Sequence, residues 1–177
     1  MLILAASNGK NLELARQVAR ATEALAPSGP ASSELIDAEL IDLVELGLPL
    51  FTPVQQSIGA GERLGVLAVA LRHHRRLWVC APEYNGSLPP TLVNAIAWLS
   101  TSTDDFRSLF QGIPVALASH SGGGGQKLLS AMRLQFSHLG AVVIGRELHS
   151  TPQKAANPES ITAMLAELHR LEPPPLG

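Results

Sequence analysis

The stretch CAPEYNGSLPPTLVNAIAWLS, Cys80–Ser100, holds a strand end, a tight loop and a helix start within 21 residues. RLWVCA, residues 76–81, is apolar at nearly every position. That is the pattern of a parallel strand buried on both faces rather than one with a wet side. Asn85-Gly86 predicts a tight turn, and Pro89-Pro90 suits the first positions of a helix. Leu92, Ile96 and Leu99 then recur at helical spacing. Tyr84, the chain's only tyrosine, falls in the loop. It offers a flat surface with a polar tip to a ligand, or it packs inward beneath a structural bend.

The same unit repeats outward from this stretch. MLILAA (1–6) is a buried strand, and NLELARQVARATEAL carries a stripe of Leu12, Ala15, Ala19, Thr22 and Leu25. APSGPASS (26–33) predicts a loop. ELID occurs at 34–37 and at 39–42, an odd offset that leaves the register open; Glu39–Leu43 is favoured as the strand. After the proline-rich LGLPLFTP a helix is expected from about Ser57, as N-cap, to His73. A third helix is expected over Pro90–Ser100. Strand IPVALAS (113–119), loop HSGGGG, helix QKLLSAMRLQFSHL (126–139), strand GAVVIG (140–145) and helix PESITAMLAELHRL (158–171) complete the alternation. Five strands and five helices in strict alternation predict a parallel sheet covered on both faces. The length suits a flavodoxin-like three-layer α/β fold with strand order 2-1-3-4-5. Residues 1–172 form one domain in this reading, and 173–177 a mobile tail.

Composition narrows the function. An apolar share of 46% with 16% charged residues describes a globular chain able to bury a core. A net charge of −2 without a basic run argues against nucleic-acid or membrane-surface partners. HHRR (73–76) reads as a solvated helix end. The lone Cys80 excludes an internal disulfide and fits a reducing cytoplasm, as a small buried hydrophobe. No secretory signal is visible, and LGVLAVAL (64–71) is far below the ~20 residues of a membrane span. The six histidines show no metal-ligand spacing.

Sheets of this class bind ligands at the carboxyl ends of their strands. The loops after strands one, three and four should therefore converge. Ser7, Asn8, Gly9, Lys10 and Asn11 form a small polar turn into a helix. It suits a phosphate held by main-chain N–H groups, or it is an ordinary turn with Asn11 as N-cap. Four glycines, Gly122–Gly125, let a backbone approach a flat ring closely, or they make a flexible linker. His120, just before them, faces the ligand or the solvent.

PEYNGSLPPTLVNAIAWLS resembles the signature of the NADPH-dependent FMN reductase family, which is flavodoxin-like. SGGGGQKLLSAMRLQFSHLGAVV and LGLPLF resemble its later glycine segment and its proline-rich connection, so the likeness runs through most of residues 2–145. It implies bound FMN, with the phosphate at Ser7, Asn8, Gly9, Lys10 and Asn11. The ring would lie against Pro82, Glu83, Tyr84, Asn85, Gly86 and Ser87, and against Ser121, Gly122, Gly123 and Gly124. Glu83, Tyr84 and Asn85 would act mainly through their backbone, with Tyr84 shielding the ring. It also implies NADPH or NADH as co-substrate, a small acceptor such as free flavin or a quinone, and no separate acid, base or nucleophile. The alternatives are a flavodoxin-like electron carrier and a module that has lost FMN. The family often carries Lys and Asp where this chain has Val93 and Ala97, on a face away from the Leu92 stripe. A helix apolar on both faces predicts a subunit interface, in a homodimer or homotetramer.

Overall fold

The structure, a computed structural model, describes residues 1–25 and 38–175. In chain order its elements are β1 (Leu2–Ala5), α1 (Lys10–Leu25), β2 (Glu39–Asp42), α2 (Leu43–Leu46), α3 (Pro53–Ile58), α4 (Glu62–His74), β3 (Leu77–Cys80), α5 (Pro90–Leu99), β4 (Pro114–His120), α6 (Gln126–His138), β5 (Val142–Ser150) and α7 (Pro158–Arg170). The strands form one parallel sheet in the order β2-β1-β3-β4-β5, the flavodoxin-like arrangement that the alternation predicts.

The inner strands are apolar on both faces, and this builds two cores. Leu2, Leu4, Leu77, Val79, Val115 and Leu117 point to one face, where Leu67 and Leu71 of α4, Leu92 of α5 and Leu128, Met132 and Phe136 of α6 cover them. Ile3, Ala5, Trp78, Cys80, Ala116 and Ala118 point to the other, beneath α1 and α7. Both faces are dry, so neither can hold the solvent-exposed chemistry. That is left to the strand ends.

Three details differ from the sequence reading. The helix expected from Ser57 is two helices. Thr52 caps α3, its hydroxyl accepting from Gln55 N at 3.0 Å, and Ser57 lies inside it. Gly59 and Gly61, at φ +100° and +74°, then break the chain before α4. β2 ends at Asp42, not Leu43, because the Asp42 carboxylate accepts from Val44 N and turns the chain into α2. The loop at 26–33 and the first ELID lie outside the described residues.

β5 runs on to Ser150, well past the expected end at Gly145. Val143 pairs with Val115 and Glu147 with Leu117, so β5 uses four residues where β4 uses two. This bulge frees carbonyls that the ladder no longer satisfies. Arg133 of α6 meets them: it donates to Ile144 O at 3.0 Å and to the Glu147 carboxylate at 2.8 Å. Near the end of the described residues Pro174 has two neighbours. The Arg75 guanidinium donates to Pro174 O at 2.7 Å, and a Cβ on Gly112 would come within 2.8 Å of the Pro174 ring.

Candidate functional site

The loops after β1, β3 and β4 open at the same edge of the sheet because the strands are parallel. Side chains fasten them to one another. Asn11, 2% exposed, donates to His120 O at 3.0 Å and accepts from His120 N at 2.8 Å, joining the first loop to the end of β4. Thr91 Oγ1 donates to Ala6 O at 2.6 Å, joining α5 to the first loop. Glu83 N donates to Ser121 Oγ at 2.7 Å, and Ser121 Oγ pairs with Ser119 Oγ at 2.9 Å, joining the second loop to the third. His149 of β5 lies 2.7 Å from Gly124 O; a carbonyl only accepts, so His149 Nδ1 carries the proton. A frame tied in this way presents backbone groups with little freedom to rearrange.

α1 starts at Lys10, two residues earlier than an Asn11 cap requires. The Asn11 side chain is taken up by His120 and offers a ligand nothing. Ser7, Asn8 and Gly9 remain at the surface of the turn. Leu12 N and Glu13 N donate back to Gly9 O. Among the described residues no acceptor meets the amides of Asn8, Gly9 or Lys10. Lys10 Nζ lies 2.8 Å from Glu13 Oε2 in an exposed pair, and this neighbour holds the Glu13 carboxyl below its ordinary range.

The starts of α6, α5 and α7 are closed to anions. α6 receives the Glu83 carboxylate, which accepts from Leu128 N at 3.2 Å and meets the positive end of the helix dipole. α5 begins Pro89-Pro90, neither of which has an N–H. The Asn157 side chain caps α7. The start of α1 keeps unmet amides, donors of the kind that suit an anion.

In the second loop Tyr84 and Ser87 exchange backbone hydrogen bonds at 3.2 and 3.0 Å around Asn85 and Gly86, at φ +51° and +74°. Two successive positive φ values make a type I′ turn. Pro82 is buried beneath it, and Tyr84 stands 51% exposed above it, so the inward-packing alternative fails. In the third loop Gly122 and Gly123 have nothing within 4 Å of where a Cβ would sit. Gly124 and Gly125 take φ +84° and +75°, and a Cβ on Gly125 would collide with the Ser119 side chain. Ser121 is buried and links the loops.

The sequence reading passed over His149, Thr91 and Lys127. The Lys127 stem lies over the turn, within 3.2 Å of a Cβ built on Gly86. No spacing signals a contact between residues so far apart in the chain. Cys80 is fully buried, which pushes its thiol pKa far up and leaves it without thiolate chemistry.

Fold and loops define a flavodoxin-like protein with a nucleotide-cofactor edge. The sequence matches the NADPH-dependent FMN reductase family over residues 1–155, and the chain belongs to that family. An uncharacterized Mycoplasma pneumoniae protein is 28% identical over 151 residues, 83% of this chain and 84% of that one. Among solved structures, an oxidoreductase from Corynebacterium diphtheriae superposes with TM-score 0.75 at 18% identity, over 96% of this chain and 94% of that chain. FerB from Paracoccus denitrificans, a flavoenzyme NAD(P)H:(acceptor) oxidoreductase, superposes with TM-score 0.66 at 20% identity, over 94% of this chain and 87% of that chain. At these identities the two structures establish the shared fold. No helix among the described residues is long and apolar enough to cross a membrane.

The residues present fit FMN. The amides of Asn8, Gly9 and Lys10 are unmet among the described residues, open space lies over Gly122 and Gly123, and Tyr84 supplies an exposed aromatic face.

Proposed function

We propose that this chain is an FMN-dependent NAD(P)H oxidoreductase acting on a small acceptor such as free flavin or a quinone. The observation that carries the reading is the joined edge. Three loops tied by side chains leave the start of α1 open to an anion, next to a glycine surface open to a flat ring. Asn8, Gly9 and Lys10 amides hold the phosphate, and the Lys10 cation adds attraction. The Pro82–Ser87 turn and the Gly122–Gly124 backbone hold the ring, with Tyr84 beside it. Glu83 serves the frame: both its N–H and its carboxylate already have protein partners. When bound, FMN supplies the acceptance of hydride from a nicotinamide and its delivery to the acceptor. The chain's own part is to bind and orient, and it needs no acid, base or nucleophile for that. The single buried thiol suits a cytoplasmic setting.

The reading extends to a homo-oligomer. Val93 is 50% exposed on α5. Asn94 and Trp98 fasten the Leu48–Phe51 segment to the same helix, which brings Leu50, 73% exposed, into its neighbourhood. Light scattering should show a dimer or tetramer at micromolar concentration. A monomer would remove this part.

The test of the activity is anaerobic mixing of the FMN-loaded chain with NADPH and with NADH. Bleaching of the flavin's visible absorption, and turnover once a quinone or free FMN is added, are expected. A loaded chain that neither nicotinamide reduces would instead be an electron carrier served by a protein partner.

A further inference from the structure

The bulge in β5 decides which side chains reach the end of β4. Val143 pairs with Val115. Continued without interruption, that register would set Glu147 beside Ser119 and Leu148 beside His120. The bulge advances the chain by two residues, so His149 and Ser150 stand there instead. An even advance keeps each side chain on its own face of the sheet. The core pattern of β5 is therefore untouched, and only the chemistry behind the glycine loop changes. Bulges re-aim side chains in this way beside functional sites.

The advance puts a donor where a carboxylate would have stood. The nearby loop group is Gly124 O, which takes a donor, and an ionised carboxylate has none to give. His149 Nδ1 donates to it at 2.7 Å. The other ring nitrogen, Nε2, lies 3.7 Å from Glu147 Oε2, and Glu147 Oε1 accepts from Arg133 at 2.8 Å. Arg133 also holds the bulge through Ile144 O at 3.0 Å. A chain of polar contacts thus runs from α6 through the bulge to the glycine loop.

Gly124 is a place where such a hold matters. Gly124 and Gly125 have φ +84° and +75°, and glycine takes φ of either sign, so sterics alone do not settle which way the peptide between them faces. His149 settles it by holding the carbonyl. Across a trans peptide the N–H points opposite to the C=O, so the Gly125 N–H is turned away from His149. Among the described residues no acceptor meets that N–H.

We infer that His149 is a positioning residue for the flavin ring: by holding Gly124 O it fixes the Gly124–Gly125 peptide with its N–H free for an acceptor on the ring's polar edge. The inference rests on the placement of the ring against this loop in the proposed function.

Titration of the purified chain with riboflavin and with FMN, followed by flavin fluorescence, tests it in three variants. His149→Ala removes the donor, and His149→Gln carries an amide nitrogen in the place of Nε2. Both should weaken riboflavin and FMN by the same factor, about five- to tenfold, because the ring and not the phosphate loses its donor. His149→Asn carries its amide nitrogen in the place of Nδ1 and should bind within about twofold of the unsubstituted chain. The visible absorption of bound FMN should move towards that of free FMN in the Ala and Gln variants and stay in place in the Asn variant. Unchanged affinity in all three variants overturns the inference. So does an Asn variant as weak as the Ala variant, or a loss confined to FMN. Nitrogen-15 spectra of the histidine rings in the unsubstituted chain need no variant to fold. At pH 8 they should show the His149 proton on Nδ1 and a ring signal that moves with riboflavin; a proton on Nε2, or a signal blind to riboflavin, is contrary evidence that also overturns it. The two readings fail differently. Riboflavin bound equally by every variant removes the role of His149 alone, whereas an unsubstituted chain that binds neither flavin removes the proposed function and this inference with it.

Discussion

Gly123 and Gly125 are indistinguishable in SGGGGQ, yet the structure gives them opposite tasks. Gly125 needs its left-handed backbone and has no room for a Cβ, so Gly125→Ala should cost the fold about 1–3 kcal/mol. Gly123 is outside the left-handed region and faces open space. Gly123→Val should leave the far-UV circular dichroism and the melting temperature unchanged. It should weaken FMN about tenfold or more, because the branched side chain occupies the place of the ring. Unchanged FMN affinity in a folded Gly123→Val chain would remove the glycine loop from the site. Tyr84 shows the limits of residue-level reading from the other side. Its rarity marked it, but only the Asn85-Gly86 turn and its 51% exposure decide that it faces outward.

Elements were legible wherever the chain's own period carried the signal. Continuous apolar runs marked β1, β3 and β4, because both faces of each are buried. The 3.6-residue stripes marked α1 and α5. The signal failed where a local rule was broken for a non-local reason. β5 looked finished at Gly145 because the bulge exposes Gly145 and Arg146; the strand continues only because Arg133, on another element, satisfies the bulge. The apolar run before His73 hid the glycine break ahead of α4. The ties between loops were not legible at all. Asn11 looked like a helix cap, and its contact lies 109 residues away at His120. Asn11→Ala strands a buried N–H and C=O of β4 and should lower the unfolding free energy by about 1–3 kcal/mol in chemical denaturation. A loss within a few tenths of a kcal/mol would mean that the two loops hold together without this bridge.

For the molecule as a whole, acid should act through two half-buried histidines. Burial holds His74 below its ordinary range against the pull of Glu39, 2.8 Å away, and burial likewise lowers His169. Below about pH 6.5 the unfolded chain takes up protons that these native side chains refuse. Stability should therefore fall as the pH drops through that value and level off once the folded pKa values are passed. The paired substitution His74→Gln and His169→Gln should flatten the fall between about pH 7 and pH 5.5 in thermal melts. An unchanged slope would place the acid sensitivity elsewhere. The central claim is that this edge holds a flavin by its phosphate at the start of α1. Thermal melts with FMN and with riboflavin at equal concentration test it most directly, since the two ligands differ only in that phosphate. FMN at a hundred times its dissociation constant should stabilise the chain by about 2.7 kcal/mol, raising the melting temperature by several degrees. Riboflavin should do less, and Lys10→Ala should shrink the FMN effect alone. Equal protection by the two flavins, or none by either, would contradict the account.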